Sequence, residues 1–190
     1  MRRAALAAGF DLVPVSSFRD FSRQLSIWND KFSGVRPLYD ANGGVIDPKE
    51  MSARERVGAI LIWSAIPGAS RHHWGTDLDL IDRGATAPGY RVQLKGAEYE
   101  PPGPYAPLAE WLSANASRYG FFRPYRGVIS AVQPEPWHYS FAPIAESARD
   151  ALDLRILHEA LLESPVLGKD ALLSDLEVLH ERYVVRVDWP

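Results

Sequence analysis

The sequence predicts an α+β domain, on three observations. Apolar residues recur at helical spacing from Ser17 to Phe32 and again from about Ser52 to Trp63. Polar and apolar residues alternate from Asp77 to Ile81, as they do in a half-buried strand. Stretches rich in Gly and Pro separate these segments. With 190 residues, 46% hydrophobic and 24% charged, the chain suits one domain with its own core, read as residues 1–190.

The elements follow in order. "MRRAALAAGF" reads as the end of a helix with Gly9 at its C-cap. Its apolar run breaks at Gly9 and Asp11, too short for a secretory leader, and the natural chain is expected to begin upstream of Met1. "FDLVPVSS" is a short strand. Phe18, Phe21, Leu25, Ile27, Trp28 and Phe32 then lie mostly at helical spacing, with Ser16 or Ser17 as N-cap. "SGVRPLYDANGGVIDP" is a loop, and the next helix opens on Ser52 with Glu55 three residues on, the pattern of a capping box. "IPGAS" ends that helix and leads to a strand in which Asp77 and Asp79 share a face. Arg83 to Pro104 reads as loop, and "YAPLAEWLSANASRYG" as a helix ending at Gly120. Two short helices near residues 144–162 and 168–181 and a closing strand in "RYVVRVDW" complete the chain, which has no internal repeat.

Composition excludes several classes of function. A net charge of -3, a pI near 6.0 and the lack of any basic run argue against a nucleic-acid partner. Without cysteine, disulfides and thiolate chemistry are impossible, and any metal must be held by His and carboxylates. No segment is long and apolar enough to form a transmembrane helix.

The chemistry centres on "SRHHWGTDLDL", residues 70–80. By itself this is either part of a metal site or a polar turn whose histidines bond to backbone groups before a solvated strand. A catalytic zinc needs three protein ligands, so one must come from elsewhere. His158 and His180 fall in helical patterns and read as surface or satisfied core residues. His138, in "PEPWHYSF" three residues after Glu135, is the better candidate. His72, Asp79 and His138 together would hold zinc with a fourth position open, and Glu135 would serve as general base toward the attacking water.

Both segments resemble a known family. "SRHHWGTDLD" resembles the Ser-x-His-x-x-Gly-x-Ala-x-Asp motif, and "EPWH" the Glu-x-Trp-His motif, of the zinc D-alanyl-D-alanine carboxypeptidases related to VanY and VanX. The resemblance implies that His72, Asp79 and His138 are the zinc ligands and Glu135 the catalytic base, with His73 at a variable position. "SSFRDFSRQ" is similar to a family segment in which an arginine precedes a glutamine by five residues, here Arg19 and Gln24. These are implied to bind substrate and stabilise developing charge, for which a guanidinium fork is well suited. Five residues do not share one helix face, so Arg19 is expected at the helix mouth. Asp77 stands where the family pattern has alanine, free to bind a substrate amine, orient a ligand or compete as one. Ser70 could donate a hydrogen bond to substrate. Trp74, Trp137 and Tyr139 flank the ligands and either line a groove or pack the core.

The resemblance covers roughly residues 10–145 and implies a small, mainly antiparallel sheet carrying the ligands, surrounded by helices in the Hedgehog/D,D-peptidase manner. The expected activity is zinc-dependent removal of D-alanine from peptidoglycan stem peptides, with Arg19 and Glu135 catalytic and Arg19, Gln24, Ser70, Asp77 and Trp137 contacting substrate. The alternatives are an L,D-carboxypeptidase or endopeptidase of the same family, or a non-catalytic zinc-containing binding module. The substrate class implies the periplasm or cell surface.

Overall fold

The computed structural model describes residues 1–190. Helix α1 (Arg2–Ala7) leads into strand β1 (Leu12–Ser16), and α2 (Phe21–Phe32) follows. A two-stranded hairpin, β2 (Leu38–Tyr39) and β3 (Val45–Ile46), precedes α3 (Ala53–Leu61). A 3-10 turn at Arg71–Trp74 enters β4 (Asp77–Asp82), and α4 (Gly96–Tyr99) and α5 (Ala106–Asn115) follow. After β5 (Phe121–Phe122) and β6 (His138–Phe141), helices α6 (Ala142–Ala151), α7 (Leu154–Glu163), α8 (Lys169–Ser174) and α9 (Leu176–His180) finish the regular structure.

The main sheet runs β1-β4-β6-β5 with every neighbouring pair antiparallel. Period-two alternation divides its central strands. Leu80 and Tyr139 turn to a core that includes Leu12, Leu108 and Leu112, whereas Asp77, Asp79, His138 and Ser140 occupy the other face. A larger core joins α2 and α3 to the C-terminal helices through Trp28, Ile60, Leu61, Leu157, Leu161 and Leu172, all essentially inaccessible to solvent. The polar sheet face therefore looks onto a space bounded by a second, helical core.

Several expectations hold in detail. The Ser52–Glu55 capping box forms in both directions, and Arg19 precedes the first turn of α2. Gly9, one residue beyond the C-cap Ala8, turns the chain at a φ of +93°.

Others need correction. Asp20, not Ser16 or Ser17, caps α2, its side chain accepting from the Arg23 N–H at 2.7 Å. The serines are taken up elsewhere: Ser16 pairs with Asp79 in the sheet, and the carbonyl of Ser17 meets His72. The loop after α2 contains the β2/β3 hairpin, and α4 interrupts the loop between Arg83 and Pro104. The C-terminal segment forms four helices rather than two, because Asp153 and Asp175 each break the run. "RYVVRVDW" is not a strand but a π-helical turn, Glu181–Val185, followed by irregular chain. The Arg186 N–H donates to the Glu181 carbonyl at 3.1 Å, so the backbone is committed to a local turn rather than to a neighbouring strand, and Val184 and Val187 enter different cores.

The capping box is exposed and isolated from the sheet. Ser52→Ala is expected to lower unfolding stability by about 0.5–2 kcal/mol, measured by urea denaturation, without affecting metal binding.

Candidate active site

The candidate ligands converge because two local structures meet across one strand pair. The 3-10 turn Arg71–Trp74 ends at Gly75, whose φ of +72° suits a residue without Cβ and directs the chain from His72 into β4. In the sheet Asp79 lies directly opposite His138. His72, Asp79 and His138 are all buried, and one donor atom from each lies within 4.8 Å of the others. His72 Nε2 is 3.5 Å from Asp79 Oδ2, and His138 Nδ1 is 3.5 Å from Asp79 Oδ1.

Groups outside the triad decide which imidazole nitrogen faces inward. The Ser17 carbonyl can only accept, so at 2.8 Å it takes the proton on His72 Nδ1 and leaves Nε2 toward Asp79. On His138, Nε2 donates to Asp77 Oδ1 at 2.8 Å, which turns Nδ1 toward Asp79 and Glu135. Such a carboxylate–imidazole pair is the usual outer support of a metal-binding histidine.

Asp77 is fully buried and does not line the cleft, which corrects its expected contact with substrate. Besides His138 it takes hydrogen bonds from Arg71 Nε at 2.8 Å, Ser140 Oγ at 2.8 Å and Thr76 Oγ1. Burial alone would raise its carboxyl pKa, but the hydrogen bond from His138 and the Arg71 charge hold it well below the ordinary carboxylate range. Burial opposes charge on His138 too, yet its bonds to Asp77 and Glu135, with Asp79 nearby, raise its pKa to about 10. His72 goes the other way: burial and the proximity of His138 push it down to about 4.

The triad fits a zinc ion. Asp79 Oδ1 is buried without a hydrogen-bond partner, an orphan acceptor that a cation would satisfy. Two imidazoles and one carboxylate are a suitable donor set, and three protein ligands are the count of a catalytic rather than a structural site. Metal binding would displace the proton that His138 carries between Glu135 and Asp79.

The triad forms one wall of a cleft of about 770 Å³, and Arg19, Ser70, Glu135 and Trp137 line it as well. Glu135 Oε2 is 2.9 Å from His138 Nδ1, brought there by a turn in which the His138 N–H donates to the Glu135 carbonyl. Arg19 donates to Gln24 Oε1 at 2.8 Å and to Ser16 Oγ at 3.0 Å, with no carboxylate partner. Gln24 is wholly buried and does not line the cleft; it holds Arg19 from behind, which corrects its expected contact with substrate. Tyr139 belongs to the core, and Trp74 stacks under the Arg71 guanidinium at 4.7 Å. His158 and His180 take no part in the cleft.

Sequence reasoning missed three supports. His73 accepts from the Gly68 N–H and meets the Arg19 carbonyl, tying the ligand turn to the arginine. The buried Tyr125 ring packs edge-on to His138 at 5.0 Å, and Trp189 lies 5.3 Å from Arg71. No local pattern announces these contacts; only Arg71, six residues before Asp77, was open to being read as its partner.

The model of the VanY D-alanyl-D-alanine carboxypeptidase family matches residues 1–144. The chain belongs to this family. An uncharacterized protein of Haemophilus influenzae is 38% identical over 122 residues, covering 63% of this chain and 93% of its own. A D-alanyl-D-alanine carboxypeptidase of Enterococcus faecalis is 28% identical over 149 residues, 77% of this chain but only 46% of that protein. Among solved structures, VanYB in complex with D-alanine-D-alanine has the same fold, with a TM-score of 0.54 at 22% identity over 90% of this chain and 75% of that one. A vancomycin-resistance D,D-pentapeptidase VanY variant in complex with Zn(II) aligns with a TM-score of 0.51 at 25% identity, over 90% and 76% of the two chains. Within this VanY family fold, the His-Asp-His cluster is the candidate metal centre.

Asp77→Asn should weaken zinc affinity by roughly ten- to a hundredfold, read by competition with a chromogenic chelator. The same change leaves Arg71 buried without its counter-ion, so the metal-free protein should lose on the order of 3–5 kcal/mol of stability. Unchanged affinity would mean that Asp77 does not orient His138.

Proposed function

We propose that this chain is a zinc-dependent D-alanyl-D-alanine carboxypeptidase acting on peptidoglycan stem peptides. The observation that carries the reading is the buried His72, Asp79 and His138 cluster, with its unpartnered Asp79 oxygen, beside Glu135 in a cleft that also holds Arg19. Membership of the VanY D-alanyl-D-alanine carboxypeptidase family supports it.

His72 Nε2, a carboxylate oxygen of Asp79 and His138 Nδ1 would hold the metal. The chemistry that zinc supplies when bound is Lewis-acid polarisation of the scissile carbonyl and a lowered pKa for the attacking water. Glu135 takes the proton of that water as it adds to the carbonyl and delivers it to the departing amine nitrogen. Arg19, fixed by Gln24 and Ser16, presents its guanidinium to the charge that develops on the carbonyl oxygen. Burial lowers the Arg19 pKa, but the reference value lies so high that the group keeps its charge at neutral pH. Ser70, buried on the cleft wall, would hydrogen-bond the substrate backbone. Peptidoglycan lies outside the cytoplasmic membrane, so the site of action is the periplasm or cell surface.

Glu135→Ala should retain zinc and lose about a hundred- to ten-thousandfold in kcat, whereas His138→Ala should lose zinc as well. Metal analysis of both variants separates the roles, and an unimpaired kcat in Glu135→Ala would refute the base assignment.

The function is tested by mass spectrometry of stem pentapeptides and tetrapeptides after incubation with the zinc-loaded protein. Loss of one terminal D-alanine from pentapeptides, absent with Glu135→Ala, is the expected result. Trimmed tetrapeptides or internal cuts would instead assign an L,D-carboxypeptidase or endopeptidase. Full zinc occupancy without cleavage would indicate a binding module.

A further inference from the structure

The cleft wall away from the triad carries a cation that the reaction above does not use. Gln24, Ile27 and Lys31 follow one another at i, i+3 and i+7 along α2, so they share a helix face. Ile27 and Lys31 line the cleft. Lys31 is half-buried; its Nζ donates to Ser64 Oγ at 2.6 Å, and no carboxylate pairs with it. Two adjacent residues of one loop, Ser64 and Ala65, link it to the arginine's support. Gln24 accepts from Arg19 at 2.8 Å and donates to the Ala65 carbonyl at 2.7 Å, next to the serine that Lys31 holds.

A shielded ammonium with only a hydroxyl for company is a cost to the fold. Burial pushes the Lys31 pKa down to about 8, against the pull of Glu135 and with help from Arg36 and Arg19. Arg36, unlike Lys31, has its own partner in Asp30 at 3.1 Å. Two cations in the cleft, Arg19 and Lys31, thus have only neutral hydrogen-bond partners, and an anionic ligand would offset the cost of both. The two cations have different hydrogen-bond partners, Gln24 and Ser16 for Arg19 and Ser64 for Lys31, so they can serve different groups of one ligand.

We propose that Lys31, steered by Ser64, forms a carboxylate subsite that anchors the peptide substrate while Arg19 serves the reacting carbonyl. This rests on the reading of the chain as a stem-peptide carboxypeptidase. The two carboxylates of a stem peptide nearest the scissile bond share one chemistry: the C-terminus and, where the third residue is a diamino dicarboxylic acid, that side chain. Both lie within a few residues of the scissile bond, and a lysine on α2 leans toward the helix N-terminus, where Gln24 and Arg19 lie.

The test compares kcat and KM of the zinc-loaded full chain on four pentapeptides: free acid or amide at the C-terminus, and free acid or amide on the third side chain. Lys31→Met should raise KM roughly ten- to a hundredfold for the acid that occupies the subsite, the scale of one charge-assisted hydrogen bond, with little change in kcat. The parent's preference for that acid over its amide should vanish, and Lys31→Arg should restore most of it. Loss of the C-terminal preference identifies the terminal carboxylate; loss of the other identifies the side chain. Lys95→Met, which removes another cation from the same cleft, should leave both preferences intact. Equal losses in the two methionine variants, or preferences retained in Lys31→Met, would overturn the subsite.

Calorimetric binding of the same peptides to zinc-loaded Glu135→Ala, with and without Lys31→Met, separates this proposal from the activity. Acid-selective binding that depends on Lys31, without hydrolysis by the parent, would sink the carboxypeptidase reading and keep the subsite. Hydrolysis without acid selectivity would do the reverse, and no binding of any peptide would sink both. Lys31→Met should also melt no earlier than the parent, since it removes an unpaired charge; a lowered Tm would reveal a structural lysine and overturn the proposal.

Discussion

The pairing of Asp79 with His138 across β4 and β6 is the constraint on which the rest of the site depends. In an antiparallel pair, directly opposite residues bring their side chains together on one face, and residues two positions away join them there. One register therefore places Asp79 beside His138 and Asp77 beside Ser140, while Leu80 and Tyr139 remain in the core. A slip of one residue would send both aspartates into the apolar layer and turn Leu78 and Leu80 toward the cleft. The penalty for burying those carboxylates among leucines makes the core itself a guardian of the candidate metal centre.

The second layer of order is electrostatic. Asp77 and Arg71 form a fully buried ion pair, and Asp77 also accepts from three other side chains. Such pairs contribute little net stability, because desolvation offsets most of their attraction. Here the pair has a geometric use. It fixes the tautomer and rotation of His138 as the Ser17 carbonyl fixes those of His72, so both rings aim one nitrogen at Asp79. The segment Ser16–Arg19 serves twice, since it supports His72 and delivers the guanidinium on the next residue but one.

Residues beyond the family match are integral to this arrangement. Leu157, Leu161, Leu172 and Leu176 complete the core on which α2 and α3 rest, and α2 carries Gln24 and Lys31. Further on, Asp188 accepts the Arg126 and Ile129 N–H groups and so holds the loop that runs toward Glu135. Trp189 packs against Arg71 and Phe122. The C-terminal chain thus braces the centre from behind, through the arginine and the loop rather than through the ligands.

The candidate metal cluster was legible in the residues because it depends on donor type and on two short motifs. Absence of cysteine restricted the donors to His and carboxylates, and the resemblance of "SRHHWGTDLD" and "EPWH" to family motifs implied His72, Asp79, His138 and Glu135 as a set. Strand alternation put Asp77 and Asp79 on one face, and Ser52 with Glu55 marked the start of α3. What the residues could not show was which partners lie across the chain. Asp77 was open to three roles until its burial against Arg71 and Ser140 made it the support of His138. Gln24 turned from a substrate contact into the brace of Arg19, and "RYVVRVDW" from a strand into a helical turn split between two cores. The sequence by itself determined which donors and acids exist and the local turns that present them; tertiary structure decided their orientation, because a hydrogen bond between distant segments has no local pattern and becomes favourable only once burial has removed the competing water.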